Sequence, residues 1–146
     1  MSQDSTADPK WKRSSTRRKA RKRALDILYE ADIRGTDPET LLRTRVERSG
    51  APLSDYATIL VEGVREQQAR IDDLLSTYAE GWTLARMPVV DRNILRIAVF
   101  ELMWRDDIPD VVAIDEAVSL SKELSTDDSP NFINGLLGRL QLVKEL

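Results

Sequence analysis

Between Val89 and Trp104 apolar side chains fall on almost every face of a helical wheel, including Ile94, Leu95, Ile97, Ala98, Val99, Phe100 and Leu102. A helix that is apolar nearly all round needs neighbours on most of its sides. The remaining apolar residues supply those neighbours with the same period. Ala20, Ala24, Ile27, Leu28 and Ala31 form one stripe, and Ile59, Leu60, Val64, Ile71, Leu74, Leu75 and Tyr78 form a second. Val112, Ala113, Ala117, Val118 and Leu120 make a third, and Phe132, Ile133, Leu136, Leu137, Leu140 and Val143 a fourth. No useful length alternates with period two, so no sheet is expected. At 146 residues the expectation is one all-α domain, a compact bundle of about seven helices, burying roughly 70% of the surface an unfolded chain exposes.

Punctuation residues set the boundaries. Ser14, Ser15 or Thr16 caps a first helix expected from about Arg17 to Arg34, and Gly35 ends it. Thr36-Asp37-Pro38-Glu39 opens a second helix that closes near Ser49-Gly50. Ser54 caps a third, with a bend or break expected near residues 67–70 and an end at Gly81. Ile108-Pro109-Asp110 separates the central helix from the next, and Pro130 fits the first turn of the last. Residues 1–13 are polar, contain Pro9 and lack apolar periodicity, so they read as a disordered basic leader before a folded helical domain over 14–146.

Cysteine and histidine are both absent. Their absence excludes disulfides, thiolate nucleophiles, imidazole bases and the zinc sites built on those ligands. The carboxylate pairs Asp72-Asp73 and Asp106-Asp107 are adjacent acids that point apart, so no acid/base site, cofactor or metal is expected. No apolar run approaches the roughly 20 residues of a membrane span. The N-terminus has no apolar stretch for a signal peptide, and a cytoplasmic protein is expected.

The net charge of −3 hides an asymmetry. Residues 1–23 hold nine basic side chains against two acidic ones, a charge of +7, while the rest carries 13 basic against 23 acidic, or −10. Like charges crowded on one helix end repel unless a polyanion neutralises them. Arg17, Arg18 and Arg21, three and four residues apart, share one helix surface. The bland alternative is a solvated charged face; a membrane-surface helix and an Arg-rich transit peptide fit less well, since the apolar face beginning at Ala20 is needed for the core.

Elsewhere Asp127-Asp128-Ser129 reads as a cap and first-turn acid before a helix, and Phe132 as either core or a base-stacking platform. Arg96 within the central helix requires a partner, with Glu101 and Glu116 as the candidates. Asn134-Gly135 is expected to let a helix approach closely.

Four segments together resemble the NusB family of transcription antitermination factors. They are Arg17-Arg18-Lys19-Ala20-Arg21 with Ala24 and Leu28-Tyr29; DRNILRIAVFEL over 91–102; IDEAVSL over 114–120; and DSPNFINGLL over 128–137. Residues 36–57 and 79–88 match poorly. The resemblance implies an all-helical RNA-binding protein that recognises boxA, a short single-stranded element of nascent rRNA leaders, and promotes processive rRNA transcription. Its implied partners are NusE, a small-subunit ribosomal protein, and indirectly other antitermination factors and RNA polymerase. By position, Arg17, Arg18, Lys19 and Arg21 are implied to contact phosphates, and Asp128, Ser129 and Phe132 to form a second RNA-facing site. Tyr29 and Asp91 are implied to face NusE. Four phosphate contacts would give a slope of about −3 for log affinity against log salt, at roughly −0.7 per contact on a single strand.

Two other readings stay open. A similar helical domain precedes the catalytic domain of some rRNA cytosine methyltransferases, although no glycine-rich cofactor motif occurs here. The alternative is an adaptor bundle that binds only protein, a homodimer among the candidates.

Overall fold

The apolar run that constrains the fold becomes the axis of the bundle. A computed structural model describes residues 10–145, with side chains described from Ser15 onward. Its helices are α1 (Lys10–Arg34), α2 (Pro38–Ser49), α3 (Asp55–Tyr78), α4 (Val89–Trp104), α5 (Asp110–Leu124) and α6 (Ser129–Lys144), with a 3-10 turn at Leu84–Arg86. Among the described residues there is no strand, and no helix is long and apolar enough to cross a membrane.

In α4 every residue from Asn93 to Leu102 is buried, and α1, α3, α5 and α6 all pack against it. Each fully buried leucine or isoleucine of this core contributes ~1.5–3 kcal/mol. The ion pairs give the directions. Asp32 near the end of α1 meets Arg92 and Arg96 early in α4, while Arg21 at the middle of α1 meets Glu101 late in α4, so the two helices are antiparallel. α3 also runs against α4, with Tyr56 bonded to Glu101 and Asp72 to Arg96. α5 and α6 complete the other side as an antiparallel pair, with Lys144 at the end of α6 reaching Asp110 at the start of α5.

Gly35 and Gly50 follow the ends of α1 and α2 with positive φ, and the Ser54 side chain accepts from Ala57 N–H. α3 ends at Tyr78, capped by Ala79 before the expected stop at Gly81, which turns the chain at positive φ beyond it. Two further local expectations change. α1 is helical from Lys10, seven residues before the expected start, so Ser14–Thr16 lie inside the helix rather than at its cap. Lysine and arginine are good helix formers, and extending a formed helix gains one hydrogen bond per residue fixed. The part of the expected leader over 1–9 lies outside the described residues, as does the side chain of Trp11. α3 is continuous through residues 67–70.

Arg96 takes neither expected partner. Its guanidinium binds Asp72 at 2.8 and 3.0 Å and Asp32 at 3.0 Å. Asp32 also receives Arg92 through two bonds and the Asn93 amide. Burial raises the Asp32 carboxyl, but the bonds from Arg92 and Asn93 and the nearby guanidinium charges outweigh it and hold the group below its ordinary value. The close helix approach lies at Gly63, not at Gly135. A Cβ on Gly63 would sit 2.2 Å from Phe100 Cζ, whereas one on Gly135 would meet only an arginine side chain at 3.7 Å.

Candidate nucleic-acid interface

The basic residues of α1 spread around the helix, and the body treats them differently. Arg21 is 3% exposed. Its Nε donates to Glu101 at 2.9 Å and its Nη1 to Glu116 at 3.2 Å, while Glu101 also accepts from the Tyr56 hydroxyl. Burial pushes the Glu101 carboxyl up, and Arg21 and Tyr56 offset only part of that. The same desolvation, with the Glu101 charge beside it, raises the Tyr56 hydroxyl as well. Arg21 was assigned to phosphate contact by position; it is instead an internal ion that joins α1 to α4 and α5. It follows Ala20 directly and lies one turn before the buried Ala24 and Leu25, so its side chain points inward.

Arg17 and Arg18 are intermediate cases. Arg17 donates to Asp107 at 3.1 Å and lies over the Tyr56 ring, 4.9 Å from its centroid. Arg18 makes a two-pronged bond to Glu116 at 2.8 and 3.1 Å, yet its side chain is 63% exposed. Burial would raise Glu116, but the bond from Arg18 and the charges of Arg21 and Arg18 bring it below the ordinary carboxylate value. Lys22 meets Glu123 at 2.6 Å one turn further along. These pairs bridge an open groove between α1 and α5, whose lining includes Asp107, Val112 and Asp115. Lys19 and Arg23 are different again. They lie four residues apart on another side of α1, exposed and without a carboxylate partner among the described residues, along a groove completed by Ser49, Pro52 and Leu53.

The second cluster lies at the other end of α4. Asp91 is 2% exposed and accepts from Ser125 Oγ at 2.5 Å and Ser129 Oγ at 2.7 Å. Ser129, equally buried, is also within 2.8 Å of Thr126 Oγ1. This network fixes the turn between α5 and α6 to the start of α4. Neither residue presents its side chain outward, so the partner-facing position given to Asp91 and the RNA-facing position given to Ser129 become a single internal contact. Short polar side chains flanking a helix start bond locally when a carboxylate is within reach.

Asp128, by contrast, is exposed and makes no side-chain cap bond. Phe132 is half-buried beside Trp82, with ring centroids 5.7 Å apart. Trp82 was passed over in the sequence because it stands alone between helices, where no periodicity marks it. Tyr29 is exposed on α1, with the exposed Ile33 one turn on. Among the described residues no group of His, Cys, Asp and Glu side chains could hold a metal.

These features define a helical bundle with a cationic first helix at one end of its central helix and an acid-aromatic corner at the other. The model of the NusB family matches residues 18–142. The transcription antitermination protein NusB of Saccharopolyspora erythraea is 61% identical over 126 residues, covering 85% of each chain. That of Thermobifida fusca is 57% identical over 129 residues, covering 88% of this chain and 91% of its own. Among solved structures, T. maritima NusB superposes with a TM-score of 0.76 at 36% identity, over 86% of this chain and 90% of that one. A chain from a structure of antitermination factors NusB and NusE in complex with dsRNA gives 0.77 at 26% identity, over 88% and 98%. The chain therefore belongs to the NusB family of transcription antitermination factors.

Proposed function

We propose that this protein binds single-stranded boxA RNA of nascent rRNA leaders together with NusE, in the cytoplasm, and so helps RNA polymerase transcribe rRNA processively. The observation that carries this reading is that α1 holds more cations than the body neutralises. Lys19 and Arg23 have no carboxylate partner among the described residues, and Arg18 keeps most of its surface open despite its bond to Glu116. A structure of antitermination factors NusB and NusE in complex with dsRNA supports RNA, as a class, and NusE as partners.

The set of phosphate-binding residues differs from the one implied by position. Lys19 and Arg23 are available directly. Arg17 and Arg18 exchange Asp107 and Glu116 for phosphate oxygens, a like-for-like swap of anions. Arg21 holds the helix that carries them. Four contacts again correspond to a salt slope of about −3. Asp128 and Phe132 supply selectivity at the far corner, since single strands are read by stacking and by hydrogen bonds to base edges.

NusE would meet the exposed Tyr29–Ile33 strip of α1. The acidic body, at −10 over residues 24–146, favours a basic partner and makes that association salt-sensitive. Titrating labelled boxA RNA, random RNA and duplex DNA, each with and without NusE, tests the reading. Preference for boxA RNA, sharpened by NusE, is expected; equal binding of all three nucleic acids, or of none, would sink it.

A further inference from the structure

Trp82 is a large aromatic side chain that the core does not use. It is 47% exposed, in the connection between α3 and the 3-10 turn. A single exposed tryptophan is unremarkable, but this one is held in place from both directions. Gly81 turns the chain at φ 76°, a conformation that strains other residues, and Trp82 N–H closes back onto the Ala79 carbonyl at 3.4 Å. On the other side the 3-10 turn is anchored by buried Met87 and by Arg92, whose Nη1 donates to the Leu84 carbonyl at 3.1 Å. The ring leans on Phe132 at an interplanar angle of 47°, so the pair forms an open angle, not a closed stack.

The surroundings favour a nucleobase over an apolar protein side chain. Asp128, one turn before Phe132, presents a carboxylate that bonds to nothing else in the described chain. Arg86, four residues after Trp82, is an exposed cation likewise without a partner. A nucleotide offers what these three chemistries take: a π face for the ring, an amino edge for the carboxylate and a phosphate for the guanidinium. A purely apolar partner would leave both charges unmatched at its border.

We propose that Trp82 adds a second ring to the Phe132–Asp128 corner of the RNA reading, making it an open two-ring platform for one unstacked RNA base. The inference rests on the RNA reading above and adds Trp82 to it. Base–aromatic stacking of this kind corresponds to a loss of roughly tenfold or more when the ring is removed.

The test uses the full chain and fluorescein-labelled single-stranded boxA RNA, read by anisotropy. Trp82→Leu should weaken binding about tenfold, and Trp82→Phe should recover most of it. Circular dichroism and urea midpoints matching wild type establish that both variants fold. In a Trp11→Phe/Trp104→Phe background, boxA RNA should quench the remaining Trp82 emission, a readout that does not depend on either variant. Trp82→Leu binding within twofold of wild type, while Lys19→Ala/Arg23→Ala weakens it, would overturn the platform and leave the RNA reading standing. Unquenched Trp82 emission at saturating RNA, or a Trp82→Leu defect confined to NusE binding, would also overturn the platform. Wild type that fails to bind boxA RNA would overturn both.

Discussion

Arg21 and Glu101 form an ion pair with almost no solvent contact, their side chains 4% and 1% exposed. Removing one partner from such a pair strands the other, at a cost of about 3–5 kcal/mol, whereas removing both can be nearly neutral. Arg21→Met should therefore lower unfolding stability by about 3 kcal/mol in urea. Arg21→Met/Glu101→Met should lose clearly less than the sum of the single changes. Additive losses would mean that the pair is not coupled.

In the proposed RNA reading, Glu116 competes with phosphate for Arg18. Glu116→Gln removes the charge of that competitor while keeping its shape, and exposed pairs of this kind correspond to at most ~1 kcal/mol. BoxA RNA should bind the variant about two- to fivefold more tightly in low salt. Unchanged or weaker anisotropy titrations would show that Arg18 never leaves Glu116.

Lys19 and Arg23 should together account for about half of the salt dependence. Lys19→Ala/Arg23→Ala is expected to reduce the slope of log affinity against log salt by about 1.4, from roughly 0.7 per lost contact. The urea midpoint should stay put, because neither residue bonds to the body. An undiminished slope would place the phosphates elsewhere.

Asp32 gives a pH dependence of known sign. Its folded-state pKa lies below the ordinary 3.8, because its bonds to Arg92 and Asn93 outweigh the effect of burial. Its contribution is thus fully present above pH 3.8 and disappears as pH falls through the depressed value. The stability difference between wild type and Asp32→Asn should be constant from pH 7 to 5 and shrink below pH 3.8. A difference that grows on acidification would reverse the assignment.

Gly63 permits the contact of α3 with α4. Since its Cβ would overlap the Phe100 ring at 2.2 Å, Gly63→Ala should cost about 1–3 kcal/mol despite the better helix propensity of alanine. Combining it with Phe100→Leu should restore part of the loss; equal urea midpoints for wild type and Gly63→Ala would refute the contact.

Helical period and terminators are local properties, which is why the stripes around Ile27, Leu60, Leu95 and Leu136 and the stops at Gly35 and Gly50 were legible. Pairings between helices are not local. The partners of Arg96 lie 64 and 24 residues away, and Glu101, a nearer candidate along the chain, faces Arg21 instead. The candidate site divides the same way. The cationic cluster was visible as composition, but which of its members face water depends on where α5 places Glu116 and where Asp107 falls. Asp91 and Ser129, 38 residues apart, could be recognised as one buried contact only in three dimensions.

The antiparallel packing of α1 on α4 also sets the distance between the two ends of the proposed RNA site. Arg21 meets α4 at Glu101 and Ser129 meets it at Asp91. Ten helical residues rise about 15 Å, and stacked nucleotides advance about 3.4 Å each. On the proposed reading, a stacked strand reaching from the α1 cations to the Trp82–Phe132 corner thus spans about five nucleotides, and an unstacked one fewer. Shorter oligonucleotides can occupy one end or the other, and affinity should climb steeply once a strand becomes long enough to hold both.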